Sequence, residues 1–232
     1  MIGKSRFAAL VFGAVVALAV VPLVLPEYYV GLVARALILS ILATSVSLML
    51  GHLGLASVGH GVFFGIASYT VAIFTRHIAD STWLACLAAL GVTTGAAAVF
   101  GLLTTRTKDI FFLMIMLAIC QVFYGIAFSW RSITGGDDGL PGILTRHMAP
   151  WLNLSDTSAF YFFVLVIFLM TISGFWVLIN SPFGLALRGI RDSESRMRAL
   201  GFNVWLYKYL AFMASGFIGG ISGVLNAYYD LT

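Results

Sequence analysis

Charge is what this 232-residue sequence has least of: Asp, Glu, Lys and Arg together make up 9% of it. An ordinary soluble domain carries about 25%. Such a chain cannot clothe a globule in solvated groups. With 61% of its residues hydrophobic, it also has more apolar surface than a core of this size can hide. Soluble enzymes and nucleic-acid-binding domains are therefore excluded. The formal charge of +4 signals membrane topology, not a nucleic-acid partner. Cysteine is scarce too. Cys86 and Cys120 both sit in apolar runs, at depths that differ by ~10 Å at a helical rise of ~1.5 Å per residue, which excludes a disulfide between them. Neither forms a CxxC pair or a metal-ligand cluster with the four histidines. No phosphate-binding loop is present: Gly3-Lys4-Ser5 lacks the earlier glycine and a preceding strand. No cofactor is implied, and any ATP energy must come from another chain.

What is present is one long apolar run after another. A helical span needs about 20 mostly apolar residues. The sequence predicts an all-α, polytopic transmembrane bundle of about seven spans, near Phe7–Leu25, Leu32–Leu50, Leu53–Thr75, Trp83–Leu103, Ile110–Trp130, Ala159–Ile179 and Tyr207–Tyr229. The runs are continuous, not alternating, which favours helices over barrel strands. Basic residues concentrate at Lys4 and Arg6, at Arg106 and Lys108, and from Arg188 to Lys208. With seven spans these segments share one side, which places the N-terminus in the cytoplasm. Arg35 falls within the second run, near its outer end, where it can snorkel. Ala17-Leu18-Ala19 has the form of a signal-peptidase site, but the apolar run continues past it, so a retained first helix is expected.

Four segments are candidates for function. Gly51 to Gly61 is rich in glycine and contains Ser57, Gly59 and His60, polar groups and flexibility at membrane depth. It reads either as a translocation-path element or as a close-packed interface with a satisfied histidine. The link at Gly51-His52 is too tight for an ordinary loop and suggests a broken or re-entrant helix. Small-residue pairs recur at Gly61 and Gly65, Gly91 and Gly95, Gly216 and Gly220, and Gly219 and Gly223, a pattern that lets helices approach. The outer loop Thr134-Gly135-Gly136-Asp137-Asp138-Gly139 is dense in turn chemistry, either a docking loop for an external partner or a plain turn. Between the last two spans, Ser181-Pro182-Phe183-Gly184 breaks the helix. A short amphipathic segment follows, with Leu185, Leu187 and Ile190 set among Arg188, Arg191 and Glu194, and Gly201 closes it. Such a segment can rest on lipid headgroups or fill a groove on another protein.

Taken in order, these motifs resemble one family. Gly51-His52-Leu53-Gly54, Ser57-Val58-Gly59-His60, Phe63-Phe64-Gly65 and Tyr69 are similar to the signature stretch of branched-chain amino acid ABC transporter permeases of the LivM-like kind. The stretch from Ile110-Phe111-Phe112 through Gln121 and Ser129-Trp130 to the Thr134-Gly135-Gly136 loop resembles the same family. So does the stretch from Ser181-Pro182-Phe183-Gly184 to Tyr207-Lys208. The resemblance covers residues 31–229 of a single permease domain, residues 1–232. The departures are Leu55 in place of a usual Gln, Ala67-Ser68 before Tyr69, and Gly189 in place of a common Ala.

The resemblance implies one part of an inner-membrane importer: a second homologous permease subunit, two cytoplasmic ABC ATPase subunits, a periplasmic substrate-binding protein, and surrounding membrane lipid. It puts Ser57, Gly59, His60, Tyr69 and Gln121 on or beside the substrate path. Thr134, Gly135, Gly136 and Asp138 would face the binding protein or the entrance. Residues 180–206 become the coupling loop, with Gly184, Leu187, Arg188, Arg191, Glu194 and Gly201 as its ATPase-coupling residues. The chain itself is then a transport subunit and not an enzyme. Family members usually continue through further spans, so a truncated, non-transporting subunit is one alternative. An autonomous channel or ion-coupled carrier is the other. No Asp or Glu lies between Leu32 and Thr75 or between Ile110 and Trp130, which argues against proton coupling.

Overall fold

The computed structural model describes residues 4–78, 81–107, 109–136, 147–149, 152–153 and 156–229. Asp138, expected in the outer loop, lies outside the described residues. The helices are α1 (Lys4–Val24), α2 (Glu27–Ser47), α3 (Gly61–His77), α4 (Thr82–Thr104), α5 (Asp109–Ser129), α6 (Arg131–Thr134), α7 (Thr157–Asn180), α8 (Pro182–Asp192), α9 (Glu194–Ala199) and α10 (Val204–Tyr229). One small antiparallel pair, β1 (His147–Ala149) with β2 (Leu152–Asn153), joins α6 to α7. Among the described residues, five helical stretches are long and apolar enough to cross a membrane. They are Glu27–Leu53, Thr82–Thr104, Ile110–Ser129, Thr157–Asn180 and Val204–Tyr229. Two shorter apolar helices, Val15–Val24 and Gly61–Arg76, bring the set to the seven apolar segments expected.

The centre of the bundle is α10, packed against α2, α3 and α4. Glycine makes this approach feasible. A Cβ on Gly223 would run into the Phe64 carbonyl and come 2.8 Å from the Ala67 Cβ, and one on Gly216 would lie 2.5 Å from the Ala97 Cβ. The facing side of α4 is small at every fourth position, Ala85, Ala89, Thr93, Ala97 and Gly101, all buried. In a membrane, where apolar side chains gain nothing by leaving lipid, such close backbone contact is the main source of helix association. Ser68 Oγ adds a bond to the Gly223 carbonyl at 2.7 Å. The pairs Gly61 and Gly65, and Gly91 and Gly95, have no neighbour within 4 Å of a built Cβ, so they do not close helix contacts within this chain.

Two helices carry local defects that the rest of the structure repairs. Pro22 in α1 has no N–H for the Leu18 carbonyl. The buried Tyr161 of α7 donates its hydroxyl to that oxygen at 2.7 Å, fastening α1 to the bundle. At the far end of α2 the helix widens into a π-turn over Leu48–Leu53, stopped by Gly54 in the left-handed region at φ 76°. The next six residues are not helical, and α3 resumes only at Gly61. At 17 residues α3 is about 25 Å long, short of the ~30 Å hydrocarbon core. This span is therefore discontinuous. Its irregular backbone is partly covered by protein: Leu55, Ser57, Gly59 and His60 are buried, while Gly54 and Val58 are exposed. Arg35, exposed on α2, carries its guanidinium over the Tyr229 ring at 5.8 Å.

Candidate functional site: a broken span, its lining cavity and a clamped helical elbow

The break in the span is locked by a chain of buried polar groups. His60 Nδ1 lies 2.6 Å from Ser57 Oγ, and its Nε2 meets Ser215 Oγ on α10. Ser215 Oγ in turn donates to the Ser45 carbonyl on α2 at 3.1 Å, and Ser45 Oγ donates to the Ser215 carbonyl at 2.7 Å. One assignment uses every proton once. The Ser57 hydroxyl donates to Nδ1, Nε2–H donates to Ser215 Oγ, and both serines donate to each other's carbonyls. His60 is then a neutral imidazole with both nitrogens satisfied. Rings of Phe63 and Phe212 flank it, centroids 5.6 and 6.1 Å away, both in edge geometry. Gly59 packs so tightly on α5 that a Cβ would strike the Met116 carbonyl. Ser57, Gly59 and His60 thus form a joint between α2, α5 and α10.

Immediately beyond the joint, α3 and α5 part to leave a cavity of about 570 Å³, closed at one end by α6. Gly61, Gly65 and Tyr69 line it from α3 at one-turn spacing, and Tyr124 and Trp130 face them from the α5 side. No charged side chain lines it among the described residues. Thr134 and Gly136 form its end wall. The Thr134 hydroxyl bonds the Ala127 carbonyl at 2.5 Å, and Gly135 and Gly136 both take positive φ, 77° and 64°, in the turn that stops α6. Of the expected path residues, Tyr69 lines the cavity. Gln121 is exposed on α5 and does not.

At the other side of the joint, α8 and α9 form an elbow between α7 and α10. Ser181 Oγ caps α8, accepting from Gly184 N at 3.4 Å, with Pro182 at the first helical position. A Cβ on Gly184 would collide with the Ile179 backbone, so the corner requires glycine. The stripe Gly184, Leu187 and Ile190 is buried, Leu187 and Ile190 joining a cluster with Leu48, Met49 and Leu53 of the π-turn. The three charged residues expected to meet an ATPase are engaged inside the chain. Arg188 donates to the Ile179 carbonyl at 2.5 Å, and Arg191 donates to the Gly51 carbonyl and lies across Gly54. Glu194 binds Lys208 of α10 and, at 3.1 Å, Arg198. Lys208 is almost wholly enclosed, its side chain 4% exposed. Gly201 ends the elbow at φ 87° with open space around it. Leu185 and Leu200 remain exposed on its outer side.

Ser45, Ser215 and Lys208 complete these arrangements and were not expected among the site residues. A serine inside an apolar run is a signal for Ser45 and Ser215, but their pairing across 170 residues is visible only in the fold.

Long apolar helices, a discontinuous span and an amphipathic elbow at one end define a polytopic membrane protein of transporter type. Over residues 28–230 the chain matches the family described as "Branched-chain amino acid transport system / permease component", and it belongs to that family of ABC-transporter permeases. It is 25% identical over 229 residues to the high-affinity branched-chain amino acid transport system permease protein LivM of Escherichia coli, covering 89% of this chain and 54% of that protein. A probable LivM of Methanocaldococcus jannaschii is 29% identical over 61% of this chain and 40% of its own length. The guanosine ABC transporter permease protein NupQ of Bacillus subtilis is 32% identical over 38% of this chain and 27% of its own length. The chain spans about half the length of the LivM of Escherichia coli. No solved structure matches it significantly.

Proposed function

We propose that the chain acts as a permease subunit of an ATP-driven importer of branched-chain or chemically related amino acids. Its setting would be the inner membrane, with a cytoplasmic N-terminus. It would work with a second permease subunit, two ATPase subunits and a periplasmic binding protein. The observation that carries this reading is the clamp of Arg191 on the Gly51 carbonyl. Through it α8 is joined to the π-turn, the π-turn to the buried Ser57–His60–Ser215 joint, and the joint to α3, whose Gly61, Gly65 and Tyr69 line the cavity. A push on the elbow then reaches the cavity wall through packed and hydrogen-bonded groups with little compliance. The exposed Leu185 and Leu200 offer an ATPase an apolar grip, while the charged residues hold the elbow rigid. Only a partner that contacts the two packings differently can shift the equilibrium between them.

The cavity supports an uncharged-walled passage for a small amphipathic solute, and its volume lies within the usual range of ligand sites, about 300–1,000 Å³. A nucleoside is the second reading. It is favoured by the stacked Tyr124 and Phe128 rings at the cavity, 6.2 Å apart and 20° from parallel, a surface suited to a base. The test is uptake by proteoliposomes holding the complete transporter, with labelled leucine and labelled guanosine compared. Arg191→Gln should leave assembly and ATP hydrolysis in place while uptake per ATP falls about tenfold, the loss of one charge-assisted hydrogen bond in the clamp. Unchanged uptake per ATP in that variant would refute the linkage. Uptake that persists without any ATPase would favour an autonomous carrier.

A further inference from the structure

A second cavity, about 190 Å³, opens at the end of the bundle that carries the elbow. It lies between the α4–α5 connection at Arg106, α9 at Glu194 and Arg198, and the first two turns of α10 at Trp205 and Lys208. Its walls hold donors in excess. Among the described residues, three cations against one carboxylate leave two positive charges, and both Glu194 oxygens are taken, one by Lys208 and one by Arg198. The Arg106 guanidinium lies over the Trp205 ring, 5.8 Å from its centroid. The indole Nε1 of Trp205 is buried and has no acceptor among the described residues. The N-terminus of the 26-residue α10 adds the positive end of its dipole. A buried donor without an acceptor is costly, and here it stands beside surplus positive charge. The chemistry missing from the cavity is that of an anion.

The position identifies the anion's class. The cavity sits just past the end of α4 and before α5. Leu103 of α4, Phe111 of α5, and Leu206 and Leu210 of α10, each within a few residues of its lining, are exposed. Exposed apolar side chains at the end of a span suit contact with lipid, and Trp205 stacked on Tyr209, centroids 5.5 Å apart, is a pairing typical of the headgroup level. We propose that this cavity binds a phosphate group, the headgroup phosphodiester of an anionic phospholipid. The phosphate oxygens accept from Trp205 Nε1 and the Arg106 guanidinium and neutralise the surplus charge. A bound lipid thereby ties the α4–α5 connection to the elbow. The inference is independent of the transported solute.

Native mass spectrometry of the purified protein in detergent, with phosphatidylglycerol or phosphatidylcholine added, tests it. The expected result is retention of one phosphatidylglycerol in preference to phosphatidylcholine. The double variant Arg106→Gln, Arg198→Gln should weaken that retention about thirtyfold, at roughly 1 kcal/mol for each basic residue near a membrane surface. Trp205→Phe, which keeps the ring and removes the donor, should weaken it by a smaller factor. Arg76→Gln, in the last turn of α3, should leave it unchanged. Inorganic phosphate alone supplies the second arm. If it raises the melting temperature of the wild type but not of the double variant, and neither lipid is retained, the site takes free phosphate and the lipid source is overturned. Equal retention of both lipids by wild type and double variant, with no phosphate effect, overturns the site. So does unaltered lipid retention in a double variant that has lost ATPase binding, because the cavity would then belong to a protein contact.

Discussion

Removing the Ser215 hydroxyl isolates what the buried polar joint contributes. Ser215→Ala deletes the acceptor of the His60 Nε2–H and the donor to the Ser45 carbonyl. The Ser45 hydroxyl keeps its bond to the Ser215 backbone carbonyl, so the penalty falls on the imidazole N–H. His60 is 1% exposed and walled by Phe63 and Phe212, so no solvent replaces the lost oxygen. An orphaned buried donor costs about 1–3 kcal/mol, against roughly 0.6 kcal/mol for an average side-chain hydrogen bond between membrane helices. We therefore expect a loss of about 2 kcal/mol, or about 4–8 °C in melting temperature for a chain of this size. Ser222→Ala is the matched control. Ser222 is equally buried, but its hydroxyl bonds only the Gly219 carbonyl of its own helix at 2.7 Å, so its removal strands nothing. Thermal denaturation of the purified protein in detergent, read by intrinsic fluorescence, should separate the two by several degrees. Equal melting temperatures for Ser215→Ala and Ser222→Ala would refute the reasoning.

Five further substitutions bear on other parts of the fold. Gly223→Ala drives a methyl into the Phe64 carbonyl and should cost about 1–3 kcal/mol. Gly91→Ala, with open space around it, should be neutral or gain up to about 1 kcal/mol in the same denaturation assay. Glu194→Gln strands the enclosed Lys208 ammonium and should lower stability by roughly 3 kcal/mol, whereas Arg198→Gln, 61% exposed, should cost less than about 1 kcal/mol. The reverse order would assign the ion pair no structural role. Gly65→Leu points a side chain into the open cavity, where its Cβ has no neighbour within 4 Å. The melting temperature should hold while uptake by the assembled transporter falls at least about tenfold; unchanged uptake would take the cavity out of the path.

The helical bundle was legible because its signals are local. Apolar runs set the number of spans, and the cluster Ser181-Pro182-Phe183-Gly184 set the corner before α8, where serine caps, proline starts and glycine avoids the Ile179 backbone. The break after α2 was only half legible. Gly51-His52 announced a tight link, but the apolar pattern runs on through Leu53, Leu55 and Val58, and hydropathy carries no information about backbone angles. The expected span therefore starts at Leu53, while the helix starts at Gly61. The helix α2 starts at Glu27, five residues before the span expected from Leu32: an apolar run marks the part that crosses lipid, while a carboxylate behind a proline favours the helix N-terminus ahead of it.

The elbow shows where sequence reasoning stops. Arg188, Arg191 and Glu194 are charged residues of a short amphipathic segment; such residues are expected to face outward, as the exposed Arg188 and Arg191 do. What the sequence does not show is that each is also held within the chain. Their partners there include backbone carbonyls and one lysine, and carbonyls have no sequence signature. The carbonyl that Arg191 binds is 140 residues away and is open to it because Gly51 lies in the last turn before Gly54, where helix carbonyls lack a donor of their own. The break after α2 and the arginine in α8 thus fit each other: the interrupted helix leaves an oxygen that needs a donor, and the elbow supplies one. A helix that continued past Gly54 would pair that carbonyl with the Leu55 N–H and leave Arg191 with nothing to hold. The discontinuity is therefore the attachment point of the elbow, and a mechanical role for the elbow requires it.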